Sequence, residues 1–138
     1  MKINYLAVIV AGLANWLLGA LWYGPLFGNK WLQLMGWDQA KVAAVQQQGV
    51  AKSMIISFIG ALLTALILAV IYARAGVQSW LDGLKIALYI WFGFVALIGM
   101  DTVIFEQRNY GLYQINSTYH LAGLLIAGAI IGAWRKKS

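Results

Sequence analysis

The sequence predicts an all-α membrane protein, a four-transmembrane-helix bundle with a long first extramembrane loop. Three observations carry this. The 138-residue chain is 62% hydrophobic and only 10% charged, with a mean hydropathy of +0.76. A soluble domain carries roughly 25% charged residues on its surface, so much of this surface faces something other than water. Uncharged runs long enough to cross a bilayer recur along the chain, and the basic residues sit between and beyond them. Ten basic against 4 acidic residues give a net charge of +6. In that placement the charge reads as membrane orientation and attraction to anionic headgroups, and no nucleic-acid partner is expected. With no cysteine, disulfides, Cys-ligated metals and thiol chemistry are excluded.

The first uncharged run, Ile3 to Tyr23, is closed by Gly24-Pro25, a pair that does not readily continue a helix. It predicts a span over about residues 3–24. The run exceeds the ~7 to 15 apolar residues of a cleaved signal peptide, and Trp22-Tyr23 is a poor cleavage site. Ser53 to Ala73, between Lys52 and Arg74, predicts a second span at about 53–74. Asn109 to Trp134, closed by Arg135-Lys136-Lys137, predicts the last at about 112–134. Each run exceeds the ~18 to 20 residues that a span requires.

The third span, about 80–105, is less simple. Its uncharged core between Lys85 and Asp101 is 15 residues, about 22 Å of helix against a hydrocarbon thickness of about 30 Å. Lys85 snorkels along its stem, whereas aspartate does not. Asp101 is therefore expected to be buried, about one turn inside the outer boundary.

Four spans put both termini on one side. Lys2, Arg74, Lys85, Arg135, Lys136 and Lys137 share that side, against Lys30, Lys41, Lys52 and Arg108 opposite. The positive-inside rule makes it cytoplasmic. Trp22, Trp31, Trp37, Trp80 and Trp134 fall at span ends or in the first loop, as an interfacial belt requires. That loop, about 25–51, is predicted to rest on the outer membrane surface through Trp31, Leu34 and Trp37, with Asp38 capping a short helix to about Gln48.

Asn4-Tyr5-Leu6-Ala7-Val8, the stretch Gly19-Ala20-Leu21-Trp22-Tyr23-Gly24-Pro25-Leu26-Phe27-Gly28, and Trp31 resemble the opening of a family of small bacterial integral membrane proteins of unknown function. Ile115-Asn116, Tyr119-His120-Leu121 and Gly128 to Arg135 resemble that family's last span. The resemblance implies a four-helix protein of the bacterial inner (plasma) membrane. It implies no activity, substrate or catalytic residue.

Few polar residues lie within the spans. An antiparallel hairpin turning at Arg108-Asn109 places Asp101 level with Asn116 and Ser117, with His120 one turn deeper; Asn15 joins from mid-membrane on the first span. On one reading these five residues form a solute or proton site, because a buried Asp beside a His exchanges protons near neutrality. On the other they satisfy one another and clamp helices together, worth ~0.6 to 2 kcal/mol. One His, one Asp and one Asn fall short of the three or four ligands of a zinc site, so no metal or cofactor is expected.

Glu106 and Arg108 at the outer turn read either as a solvated ion pair or as a gate at the bundle mouth. Small-residue stripes (Ala7-Ala11-Asn15-Gly19, Ala61-Ala65-Ala69-Ala73, Gly128-xxx-Gly132) serve close packing within the chain or between copies in a homo-oligomer. No phosphate loop, Gly-x-Ser-x-Gly or His-Glu-x-x-His occurs, and no enzymatic activity is expected. The expected function is binding or translocation of a small solute or cation through an outer-facing polar pocket. The alternative is a membrane scaffold or partner protein that transports nothing.

Overall fold

The computed structural model describes residues 2–136; Lys137, the end of the predicted basic cluster, lies outside the described residues. Four helices, Tyr5–Leu26, Ala51–Ala75, Trp80–Ile104 and Tyr110–Ala133, are long and apolar enough to cross a membrane. These are the first to fourth spans.

Three spans start at side-chain caps. The Asn4 side chain accepts from the N–H groups of Leu6 and Ala7 (3.1 and 3.2 Å), while its amide donates to the Trp134 carbonyl at 3.1 Å. That last bond ties the start of the first span to the end of the fourth. Ser79 accepts from the Asp82 N–H, and Asn109 from those of Gly111 and Leu112. The second span ends on Gly76, whose φ of 74° is left-handed and suits glycine.

Gly24-Pro25 does not end the first helix, contrary to the expectation from sequence. The helix widens into a π turn, Trp22–Leu26, and closes with the Phe27 N–H donating to the Trp22 carbonyl at 2.8 Å. Pro25 has no N–H to contribute, and the wider turn accommodates its ring. The loop that follows is also more ordered than expected. It holds two helices, Gly28–Met35 and Gln39–Gln47, joined through left-handed Gly36. Asp38 caps the second as anticipated, accepting from the Lys41 N–H at 2.8 Å. The half-buried Trp31, Leu34 and Trp37 also make contacts within the protein. Trp31 meets Tyr23 and Trp37 edge-on at 5.8 and 5.4 Å, and Leu34 covers Gly111 on the fourth span.

The third and fourth spans touch backbone to backbone. Gly83 lies against the Gly128 carbonyl, and the Tyr72 hydroxyl of the second span donates to the Gly83 carbonyl. Buried Ala7 and Ala11 on the first span, and Ala65 and Ala69 on the second, form the other close interface. Among the described residues the second span packs along the first, only lightly on the fourth, and meets the third mainly near the Tyr72–Gly83 bond. A lateral opening is left between the second and third spans. Outward-facing Ile9, Leu13, Ile55, Ile59 and Phe92 are exposed, an apolar surface of the kind that lipid covers.

Candidate functional site

Several contacts fix the register of the third and fourth spans. Gly83 meets Gly128 and Gly99 meets the Tyr113 ring. Trp91 Nε1 donates to the Ser117 carbonyl at 2.8 Å, and the Tyr113 hydroxyl to the Ala96 carbonyl at 2.6 Å. Extending this ladder puts Asp101 level with Asn109 to Gly111, about two helical turns from Asn116. The hairpin is therefore centred nearer Phe105 than Arg108.

The expected grouping of Asp101 with Asn116, Ser117 and His120 is not formed. The third helix breaks at Met100, Asp101 begins a short final turn to Ile104, and Gln107 turns the chain with a φ of 55°. Asp101 is exposed, not buried. Among the described residues its side chain makes no hydrogen bond or ion pair.

The other candidates are dispersed. Asn116 Oδ1 accepts from the Tyr23 hydroxyl at 2.7 Å. Ser117 is buried, with its carbonyl engaged by Trp91. Arg108 pairs with Glu106 at 3.2 Å on the exposed turn between the third and fourth spans, and neither lines a described cavity. Asn15 and His120 do come together, on the wall of a cavity of about 340 Å³ shared by all four spans.

This cavity is the middle of a longer groove. The first span supplies Asn15 and Trp16, the second Ser57 and Thr64, the third Ile90 and Val95, and the fourth Tyr119, His120 and Leu124. Toward the Pro25 end, the side expected to be outer, Trp16, Ser57 and Tyr119 also line a cavity of about 450 Å³ bounded by Gly19, Tyr23 and Met54. Toward the Arg74 end, the side expected to be inner, Thr64, Ile90 and Leu124 continue into an aliphatic stretch of about 340 Å³ along Leu63, Ile67, Leu68 and Ile71. These volumes suit a small organic ligand.

Glycines shape the groove. The Asn15 carboxamide lies against Gly123, where any Cβ would collide with it. Gly19 leaves room for the Tyr119 hydroxyl, which donates to the Asn15 carbonyl at 3.4 Å. The aromatic residues that stitch the helices are the ones that sequence reasoning missed. Trp22 Nε1 donates to the Ile115 carbonyl at 3.0 Å and Trp16 Nε1 to the Met54 carbonyl at 3.2 Å. Tyr119 sits at the centre, with its ring 5.3 Å from Tyr23, 6.2 Å from Trp22 and 5.1 Å from His120. Their signal was a Trp or Tyr well inside a span, where its polar tip has no water and must find a partner.

Among the described residues no three His, Cys, Asp or Glu side chains converge as a metal site would require. The groove offers uncharged hydrogen-bonding groups, aromatic faces and aliphatic walls. Such a lining recognises a neutral molecule by shape and a few hydrogen bonds.

No curated protein and no solved structure matches the chain. A protein family does: its pattern covers residues 6–132, from the start of the first span to the end of the fourth, and the chain belongs to that family, described as "Protein of unknown function (DUF1761)".

Proposed function

We propose that this is a multi-pass protein of the bacterial inner membrane that binds a small uncharged solute in the groove between its second and third spans. One observation carries the reading: polar side chains from the first, second and fourth spans (Asn15, Ser57, Thr64, Tyr119, His120) line a single groove in an otherwise apolar bundle. Polar groups in lipid are costly unless they are partnered or used. Among the described residues no Asp, Glu, Lys or Arg lines the groove. A fixed ion held there would lack a counter-charge, so the solute is neutral. With Asp101 two turns away, coupling to a cation has no anchor in the groove.

The Asn4–Trp134 bond holds the chain ends together, and Arg74, Arg135 and Lys136 lie near that end. The positive-inside rule supports a cytoplasmic location for both.

The absence of native cysteine permits a direct test. Maleimides react with thiolates, which form only where water reaches. Ser57→Cys, in the groove, is expected to react with N-ethylmaleimide in intact membranes far faster than Ile59→Cys on the lipid face. Equal and negligible labelling of both would mean that the groove is closed and would remove this reading. Uptake into proteoliposomes then separates translocation from binding.

A further inference from the structure

Building on the reading of the groove as a solute site, we infer that its occupant is a quinone-type amphiphile: a flat, neutral ring with carbonyl acceptors and an aliphatic tail. The assignment follows from which hydrogen-bond donors remain free. Thr64 donates to the Gly60 carbonyl at 2.9 Å, Tyr119 to the Asn15 carbonyl, Tyr23 to Asn116, and Trp16 to the Met54 carbonyl. The side chains of Asn15, Ser57 and His120 make no hydrogen bond among the described residues, and all three face the central cavity. They stand on three different spans. A head with acceptors on opposite edges engages more than one of them at once.

Charge and shape narrow the class. Among the described residues the lining holds no Lys or Arg, and its one basic group, the His120 imidazole, is of a kind ordinarily neutral at pH 7; a carboxylate or phosphate head would be buried without a fixed counter-charge, at a cost of several kcal/mol. The Trp16 and Tyr119 rings flank both the central and the outer cavity, and aromatic faces favour a flat ring. The inner stretch along Leu63, Ile67, Leu68 and Ile71 offers almost only aliphatic surface. From Ser57 to Ile71 the second helix rises about 21 Å, room for a six-membered ring and a tail of about ten carbons. A longer tail leaves through the lateral opening into the bilayer.

The test uses the full-length chain in detergent, with its melting temperature followed against added decylubiquinone, decanol and decanoic acid. Binding to the folded state raises the midpoint in a saturable way. Decylubiquinone is expected to raise it at lower concentration than either other ligand. His120→Leu should increase the half-saturating concentration roughly three- to tenfold, the worth of one hydrogen bond. Ala61→Trp fills the central cavity and should abolish the shift; Ser57→Trp, at an exposed position, does the same should Ala61→Trp misfold. If decanol or decanoic acid binds as tightly as decylubiquinone and is blocked by Ser57→Trp, the groove is a solute site but the quinone assignment is wrong. If no ligand shifts the midpoint, or the shifts persist in Ser57→Trp, both the assignment and the groove reading fall.

Discussion

Replacing Gly83 by alanine adds one methyl group where the third and fourth spans meet. That methyl has backbone on its path: the Gly128 carbonyl group, with its carbon at 3.1 Å, and the Gly132 Cα at 3.3 Å. Neither is the flexible end of a side chain, so the helices themselves must separate. Overpacking of this kind costs about 1 to 3 kcal/mol. The separation also disturbs the bond from the Tyr72 hydroxyl to the Gly83 carbonyl, and hydrogen bonds between membrane helices average about 0.6 kcal/mol. A total near 2 to 3 kcal/mol is expected. The assay is unfolding by sodium dodecyl sulfate in mixed micelles, followed by circular dichroism. Gly60→Ala supplies the control, because a methyl there meets nothing within 4 Å, and its stability should not fall, gaining at most about 1 kcal/mol from helix propensity. If Gly83→Ala unfolds at the same detergent fraction as Gly60→Ala, the backbone contact between these spans is not present as described.

Other substitutions probe separate features. Asp101→Leu should leave unfolding unchanged within about 0.5 kcal/mol, because the carboxylate is exposed and unpartnered; a loss of 2 kcal/mol or more would restore the buried clamp. Tyr23→Phe removes the donor to Asn116 and should destabilise by about 1 kcal/mol in the same assay. Asp38→Ala removes the cap of the Gln39–Gln47 helix, worth about 1 kcal/mol; amide exchange should accelerate there and stay unchanged in the spans.

The spans were legible because bilayer thickness imposes a length and apolarity that no other constraint imitates. Asp38 was legible as a cap because its chemistry is local. Two kinds of feature were not. The π turn through Pro25 depends on a relaxation of helix geometry that composition does not encode: Gly24-Pro25 reads as a stop under either outcome. The register of the third and fourth spans was set by glycine contacts at Gly83, Gly128 and Gly132 deep in the hairpin, not by the charged turn. Counting back from Arg108 therefore carried Asp101 about two turns too far. The candidate site shared that error. Asn15 and His120, placed by their own helices, belong to the groove, whereas Asp101, placed by the turn, does not. Trp16 and Tyr119 were not legible, because aromatic residues inside a span read as ordinary apolar filling until their hydrogen bonds are seen.

An experimental structure determined in lipid tests the lateral groove most directly. Non-protein density should run between the second and third spans, from Leu68 past Thr64 to Asn15 and His120. Close packing of the second span along the third, with Ser57 and Thr64 against Ile90 and Val95 and no space between them, would contradict it.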